Sequence, residues 1–285
     1  MDTINENGQS VTVTVPNDGN NGWKHRKKQL YSSIKKYLWI FPLYSSISIV
    51  LIIVVPYTTS AYYGYTGPIY PLVSDSGGYP PGASILSLLF IFEAIFATLT
   101  SWFRYKQVKY YLQSQSKDDQ NANFSKKLRS INWNLVTIMI FFTFGVIIFT
   151  TFRSTESIIM SLIHAFAAAL AVMCLALYLL GTIYTCWYLY KVYNIESLPI
   201  SLIVSTSIQL IAITTFTMTF FMSIYLTGMK FFDPNFRLKW PDNETRTLYL
   251  VATISETISI LLLSLLNLCL FNRMRKFKDW DKIRF

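Results

Sequence analysis

The sequence predicts an all-α membrane protein, a six-transmembrane-helix bundle with a proline- and glycine-rich structured first extracytosolic loop. Of its 285 residues, 52% are hydrophobic and only 14% are charged, whereas soluble domains carry about 25% charged residues. Six apolar runs are long enough to cross a hydrocarbon core of about 30 Å. They cover residues 38–61, 83–103, 131–152, 158–190, 200–228 and 248–271. The fourth and fifth runs are longer than a bilayer requires, so tilt or extension beyond the lipid is expected.

The runs belong to one transmembrane domain, 38–271, with a tail on each side. Residues 1–37 are first polar, which predicts disorder, and then basic; residues 272–285 form a second basic tail. Only residues 153–157 join the third and fourth runs, so these two are expected to form an antiparallel hairpin. An alanine-rich stretch at 165–171 permits close approach of a neighbouring helix.

The distribution of positive charge predicts the orientation. From the N-terminal tail through the five connections to the C-terminal tail, the 25 Lys and Arg residues divide as 6, 0, 7, 1, 1, 4 and 6, so alternate regions hold 20 and 5. Because Lys and Arg accumulate on the cytosolic side, both termini are predicted to be cytosolic. The formal net charge of +10 then reflects topology and attraction of the basic tails to anionic lipid, and nucleic acid is not an expected partner.

The same charge count separates two glycosylation sequons. Asn243-Glu244-Thr245 lies in the last outer connection, whereas Asn123-Phe124-Ser125 lies on the cytosolic side. Glycosylation is therefore predicted at Asn243 and not at Asn123.

The connection between the first two runs combines rigid turn chemistry with a lack of Lys and Arg. Its prolines fix φ and exclude helix until the chain has passed them. Its glycines permit a sharp reversal, and its Ser and Asp side chains can bond to nearby backbone. The connection is therefore predicted to be a folded cap on the bundle. The residues that define the cap are Pro71, Ser74, Asp75, Gly77, Pro80 and Pro81.

The run 71–77, Pro-Leu-Val-Ser-Asp-Ser-Gly, followed by Pro80-Pro81, resembles the signature loop of the damage-regulated autophagy modulator (DRAM) family. Other matching positions are Phe41-Pro42, Arg104-Tyr105-Lys106, His164 and Glu256. The resemblance covers roughly 38–275. It implies membership of a wider six-helix superfamily that also contains a Golgi GPI-anchor remodelling factor and plasma-membrane phosphoinositide-kinase adaptors. Gly82, Ala165 and the Ser and Thr flanking Glu256 depart from the family pattern, which leaves the subgroup open.

Three ionisable residues, Glu93, His164 and Glu256, fall within the predicted spans. Charged side chains in a span usually face the bundle interior. All three spans run inward from the outer side, and the helical rise places the three residues in the outer half, beneath the cap. We therefore expect Asp75, Glu93, His164 and Glu256 to converge in a polar pocket. Two interpretations stay open: an internal hydrogen-bonded network that fixes helix register, or a ligand, lipid-headgroup or proton-responsive site.

The sequence does not indicate an enzyme. With two histidines, His25 and His164, a three-His zinc site is impossible, and no nucleophile elbow, phosphate-binding loop or zinc-protease motif is present. No catalytic residue, metal or cofactor is therefore predicted, although a carboxylate pair with one His leaves lipid acyl transfer open. A channel or transporter that uses Glu93 and Glu256 is a further alternative, although the sequence lacks the internal repeats that are typical of transporters.

The resemblance implies a non-enzymatic multi-pass modulator of autophagy and lysosomal membrane function. The endolysosomal membrane is the expected compartment, with the Golgi and the plasma membrane as alternatives. The alternative functions are a lipid- or GPI-anchor-remodelling factor and a phosphoinositide-kinase scaffold. Expected partners are membrane lipids, with anionic lipid at the basic tails, and proteins that the sequence does not identify.

Overall fold

The structure, a computed structural model, describes residues 3–4, 10–11, 23, 33–66, 71–115, 122–233, 236 and 245–285. Most of the predicted disordered segment and the sequon at Asn243 lie outside these ranges. Within them, six helices are long and apolar enough to cross a membrane, which confirms the predicted fold class. The long helices are α1 (Ile40–Tyr62), α3 (Gly82–Gln115), α4 (Ala122–Thr151), α5 (Ile158–Tyr193), α6 (Ile200–Thr227) and α7 (Arg246–Lys276).

Shorter elements lie between and beside these helices. Helix α2 (Val73–Ser76) lies in the first connection, and two 3-10 helices cover Gly228–Phe232 and Asp279–Lys282. Near the N-terminus, the strand β1 (Thr3–Ile4) pairs antiparallel with β2 (Ser10–Val11). We call the end of the bundle that carries α2 the cap end. The opposite end, where α7 ends, is the terminal end.

The long helices pack in a definite order around the bundle. Helix α1 contacts α3 and α7, α3 contacts α4, α4 contacts α5, and α6 contacts α7. The most extensive contact is between α4 and α5, which confirms the predicted hairpin. Helices α5 and α6, although consecutive in the chain, touch little. The chain segment 194–199 therefore links two groups of helices that both pack on α1.

The cap is held by apolar packing. Val73 is buried with Ile52 and Ile53 of α1 and with Leu86 of α3. Leu72 is buried with Tyr249 of α7 and with Phe231. Burial of such side chains is worth about 1.5–3 kcal/mol each, so these contacts stabilise the cap on the bundle.

A glycine lets the cap approach the α4–α5 connection closely. A Cβ on Gly78 would lie 2.7 Å from Cγ2 of Thr155, which is closer than non-bonded carbons approach. The Thr155 hydroxyl in turn donates to the Gly78 carbonyl at 2.9 Å. The cap is thus joined to the α4–α5 hairpin as well as to α1, α3 and α7.

The C-terminal tail folds back on the terminal end. Phe277, Trp280 and Ile283 are buried against Leu38 and Met274. The Trp280 indole donates to the Met274 carbonyl at 3.1 Å. The segment predicted only as a basic tail therefore also packs apolar side chains against the terminal end of the bundle.

Candidate functional site at the cap end

Asp75 and Glu256 lie together where the cap meets α7. The Glu256 carboxylate accepts the backbone N–H of Val73 at 2.7 Å. Tyr249, on the same helix, accepts the N–H of Leu72 at 3.4 Å and donates its hydroxyl to Asp75 at 3.5 Å. Because the first N–H groups of α2 have no partner within that helix, these α7 side chains satisfy donors that would otherwise be buried and unpaired.

Asp75 also links the cap to the α4–α5 connection. The Ser154 hydroxyl donates to its other carboxylate oxygen at 3.5 Å. Asp75 is almost fully buried, and Tyr249 and Glu256 of α7 both bond to the cap segment that carries it. The cap is therefore held by polar contacts on two sides.

Glu93 has different partners, in the contact between α3 and α1. The hydroxyls of Ser45 and Ser48 donate to its two carboxylate oxygens. The side-chain amide of Asn267, from α7, donates to Ser45 at 2.8 Å. A buried carboxyl group is costly unless it is hydrogen-bonded. Here α1 supplies both bonds to Glu93, and α7 supports one of the two serines through Asn267.

His164 contacts the end of α4. Its Nδ1 lies 2.7 Å from the carbonyl oxygen of Phe149 and 3.0 Å from that of Phe152. Since both neighbours are acceptors, Nδ1 carries the hydrogen and donates. The last carbonyls of a helix lack intrahelical donors, so His164 of α5 closes the C-terminal end of α4.

The structure therefore brings together two of the four residues expected to form one pocket. Asp75 and Glu256 share a site, whereas Glu93 and His164 each have their own set of contacts. Helical rise gives the depth of a residue along its helix, but it does not give the direction in which the side chain points. Ligand binding by these residues stays a prediction.

A crevice opens between the cap and the α4–α5 hairpin. Its cavity volume is about 20 Å³, room for about one water molecule. Its lining includes Ser74, Leu86, Ser87, Phe149, Arg153 and His164. Its wall is partly apolar and partly polar, with one guanidinium group. Among the described residues, no group of His, Cys, Asp or Glu is arranged to hold a metal ion.

Sequence reasoning missed a buried ionic cluster at the terminal end, formed by Arg104 of α3, Glu196 of the α5–α6 connection and Arg273 of α7. The two carboxylate oxygens of Glu196 accept from Arg104 at 2.6 and 2.7 Å. Arg273 donates to one of them at 2.5 Å and to the Ser197 carbonyl at 3.2 Å. Between 5 and 12% of each charged side chain is exposed. The only signal in the sequence was a single acidic residue in the short connection between two apolar spans.

The charges of this cluster act on the carboxyl group of Glu196. Burial, the largest influence, favours its protonation, but the two guanidinium groups outweigh burial and lower its pKa below the ordinary value of 4.5. Glu196 is therefore ionised at neutral pH. It joins α3 to α7 through the segment that connects α5 and α6.

The family model described as the Frag1/DRAM/Sfk1/Cwh43P N-terminal domain matches residues 37–274. No curated protein and no solved structure matches the chain significantly. The match spans all six long helices, the cap and both polar clusters described above. The chain therefore belongs to the Frag1/DRAM/Sfk1/Cwh43P family of membrane proteins.

Proposed function

We propose that this chain is a non-enzymatic membrane modulator of the DRAM type, which acts in autophagy and lysosomal membrane function at the endolysosomal membrane, with both termini in the cytosol. Membership of the wider family supports the role of membrane modulator. The resemblance of the loop 71–77 to the DRAM signature supports the choice of subgroup. The charge distribution of the tails and connections supports the orientation.

One observation favours a modulator over a channel or transporter. The two buried carboxyl groups that a transport path would use are both engaged by donors of the protein: Glu93 by two serines, and Glu256 by the cap backbone. Groups bonded in this way join elements of the bundle, and an ion would have to displace those bonds. The carboxylates thus fix helix positions and the cap, which suits a protein that presents a stable surface to partners.

Basic and aromatic residues at the terminal end suit contact with anionic lipid, the partner class proposed here for the cytosolic side. The ammonium group of Lys106 lies 4.8 Å from the ring centre of Trp102, and that of Lys191 lies 5.0 Å from the ring centre of Trp187. Pairs of this kind are suited to a membrane interface, where the ring contacts the hydrocarbon boundary and the cation contacts phosphate.

The proposal is tested by location and by loss of function. A fluorescently tagged full chain is expected to overlap with a lysosome marker, and deletion of the protein is expected to reduce lysosome-dependent turnover of autophagic cargo. Golgi location with altered GPI-anchor lipids would favour the remodelling alternative instead. Plasma-membrane location with altered phosphoinositide levels would favour the scaffold. Either result would contradict the autophagy proposal.

The contact between Glu256 and the cap provides a second test. Glu256→Ala removes the acceptor of the Val73 N–H, and a buried unpaired donor costs about 1–3 kcal/mol. Deuterium uptake in the segment 71–78, measured by mass spectrometry, is expected to rise in this variant. Glu256→Gln is the matched control, because its amide oxygen still accepts the bond, and uptake is expected to stay near that of the wild type. Equal uptake in all three proteins would contradict the assigned role of Glu256.

A further inference from the structure

Another, smaller cavity lies beside the ionic cluster of the terminal end, between α3, α4 and α5. Its volume is about 10 Å³, and every residue that lines it is buried. Six of the seven lining side chains carry a polar group. The seven are Ser101 and Arg104 of α3, Asn132 and Leu135 of α4, and Tyr178, Thr182 and Thr185 of α5. A cavity with such a wall differs from the apolar cavities that stay dry inside proteins.

Arg104 offers one hydrogen-bond donor to this cavity. The hydrogens on its two terminal nitrogens, Nη1 and Nη2, are directed to Glu196, to Gln107 and to the sulfur of Cys186. Its Nε is buried and has no acceptor among the residues that the structure describes. A buried N–H of a charged group is costly when it stays unpaired. Because Arg104 lines the cavity, a molecule bound there can supply the acceptor.

Two threonines offer acceptors to the same cavity. The Thr182 hydroxyl donates its hydrogen to the Tyr178 carbonyl at 2.7 Å, and the Thr185 hydroxyl donates to the Gly181 carbonyl at 2.8 Å. A hydroxyl oxygen has two lone pairs, so both oxygens can still accept after their hydrogens are used. The cavity therefore needs a molecule that accepts one hydrogen bond and donates others, and water does both.

We propose that this cavity binds one internal water molecule. The water accepts the Nε–H of Arg104 and donates to the hydroxyl oxygens of Thr182 and Thr185. A site needs about 10–15 Å³ to hold one water, so the cavity has room for a single molecule. A chloride ion is larger than water, and a cation would meet the guanidinium group.

The bound water links the ionic cluster of the terminal end to α5. Arg104 already contacts Glu196 directly, and through the water it also contacts the polar face of α5 that carries Thr182 and Thr185. The site thus completes the hydrogen bonding of a buried guanidinium. It does not depend on the autophagy role proposed above, and either proposal can fail without the other.

X-ray radiolytic footprinting of the full chain in detergent tests the site. Hydroxyl radicals form from the bound water itself and label the side chains beside it, which mass spectrometry then detects. Tyr178 is expected to be labelled although it is buried. Tyr249 is the matched control, because it is a buried tyrosine that does not line the cavity, and it is expected to stay unlabelled. Labelling of Tyr178 no faster than that of Tyr249 would show a dry cavity and overturn the proposal.

A cavity-filling variant tests whether the labelling comes from this cavity. Ser101→Val places two methyl groups where a single water fits, so labelling of Tyr178 is expected to fall to the level of Tyr249. Thr217→Val changes an exposed threonine of α6, and wild-type labelling of Tyr178 is expected. Equal labelling of Tyr178 in the wild type and Ser101→Val would show that radicals reach it by another route, which would overturn the proposal.

Two further measurements on the wild type need no variant. Replacing chloride by gluconate and sodium by N-methylglucamine is expected to leave the labelling of Tyr178 unchanged, and a change would identify an ion and contradict the assignment of water. A high-resolution density map is expected to show one water within about 2.7–3.2 Å of the Arg104 Nε, the usual length of such a bond. A map without density in the cavity would overturn the proposal.

Discussion

Replacing Glu196 with alanine is expected to destabilise the protein by about 3–5 kcal/mol, because it leaves two guanidinium groups buried and without their carboxylate. In the wild type, Glu196 accepts from both Arg104 and Arg273. The cluster ties α3 to α7 through the segment that joins the two groups of helices, so its loss should loosen the whole terminal end. Equilibrium unfolding of the purified full chain in mixed micelles with increasing SDS measures the difference.

The matched control is Glu156→Ala at the cap end. Glu156 also pairs with an arginine, but the pair is exposed and 3.9 Å long, so the expected cost is below about 1 kcal/mol. Similar losses in the two variants would show that burial does not set the strength of the terminal cluster.

Acidification provides a separate check on Glu196. Its pKa is lowered in the folded protein, so its contribution is complete above the ordinary value of 4.5 and is lost as the pH falls through the lower, folded value. The difference in stability between the wild type and Glu196→Gln should therefore be constant near neutral pH and shrink below about 4.5. A difference that grows on acidification would contradict the assigned charge state.

The long apolar runs were predictable from the sequence because a bilayer imposes one strong requirement, a continuous apolar helix of sufficient length. The folded cap was predictable for a local reason as well, since its prolines and glycines leave few backbone conformations. In both cases the physical cause acts within a short stretch of chain. The amino-acid composition and order of that stretch are then sufficient to predict its structure.

The contacts between buried polar residues were not predictable to the same degree. Glu93 and Glu256 lie at similar depths, yet one accepts from serines of α1 and the other from the cap. Which neighbour a side chain meets depends on the rotation and order of the helices, and these are set by packing across the whole bundle. Glu196 was overlooked for the same reason, because its arginine partners are 92 and 77 residues away in the chain.

Gly145→Leu is expected to cost about 3 kcal/mol by forcing α4 and α5 apart. A Cβ at this position would lie 3.1 Å from the Ala167 carbonyl oxygen and 3.2 Å from Cβ of Ala171. Those atoms are backbone or attached directly to it, so the larger side chain cannot be accommodated by a rotamer change. Overpacking of a well-packed contact typically costs about 1–3 kcal/mol and sometimes more. The same SDS titration, read out as the unfolding midpoint, measures the loss.

Two control variants separate the effect of crowding between α4 and α5 from other causes of destabilisation. Ala169→Leu adds comparable bulk to an exposed position of α5, where a change within about 0.5 kcal/mol is expected. Gly145→Ala adds only the Cβ, and the gain in helix propensity of about 1 kcal/mol over glycine offsets much of the crowding. We expect the unfolding midpoint of Gly145→Leu to lie far below that of Gly145→Ala, and the midpoint of Ala169→Leu to lie near that of the wild type. This order follows only if the alanine-rich face of α5 lies directly against Gly145. If Gly145→Leu unfolds at the wild-type midpoint, α4 and α5 do not meet there, and the close approach permitted by the alanine-rich stretch is made elsewhere.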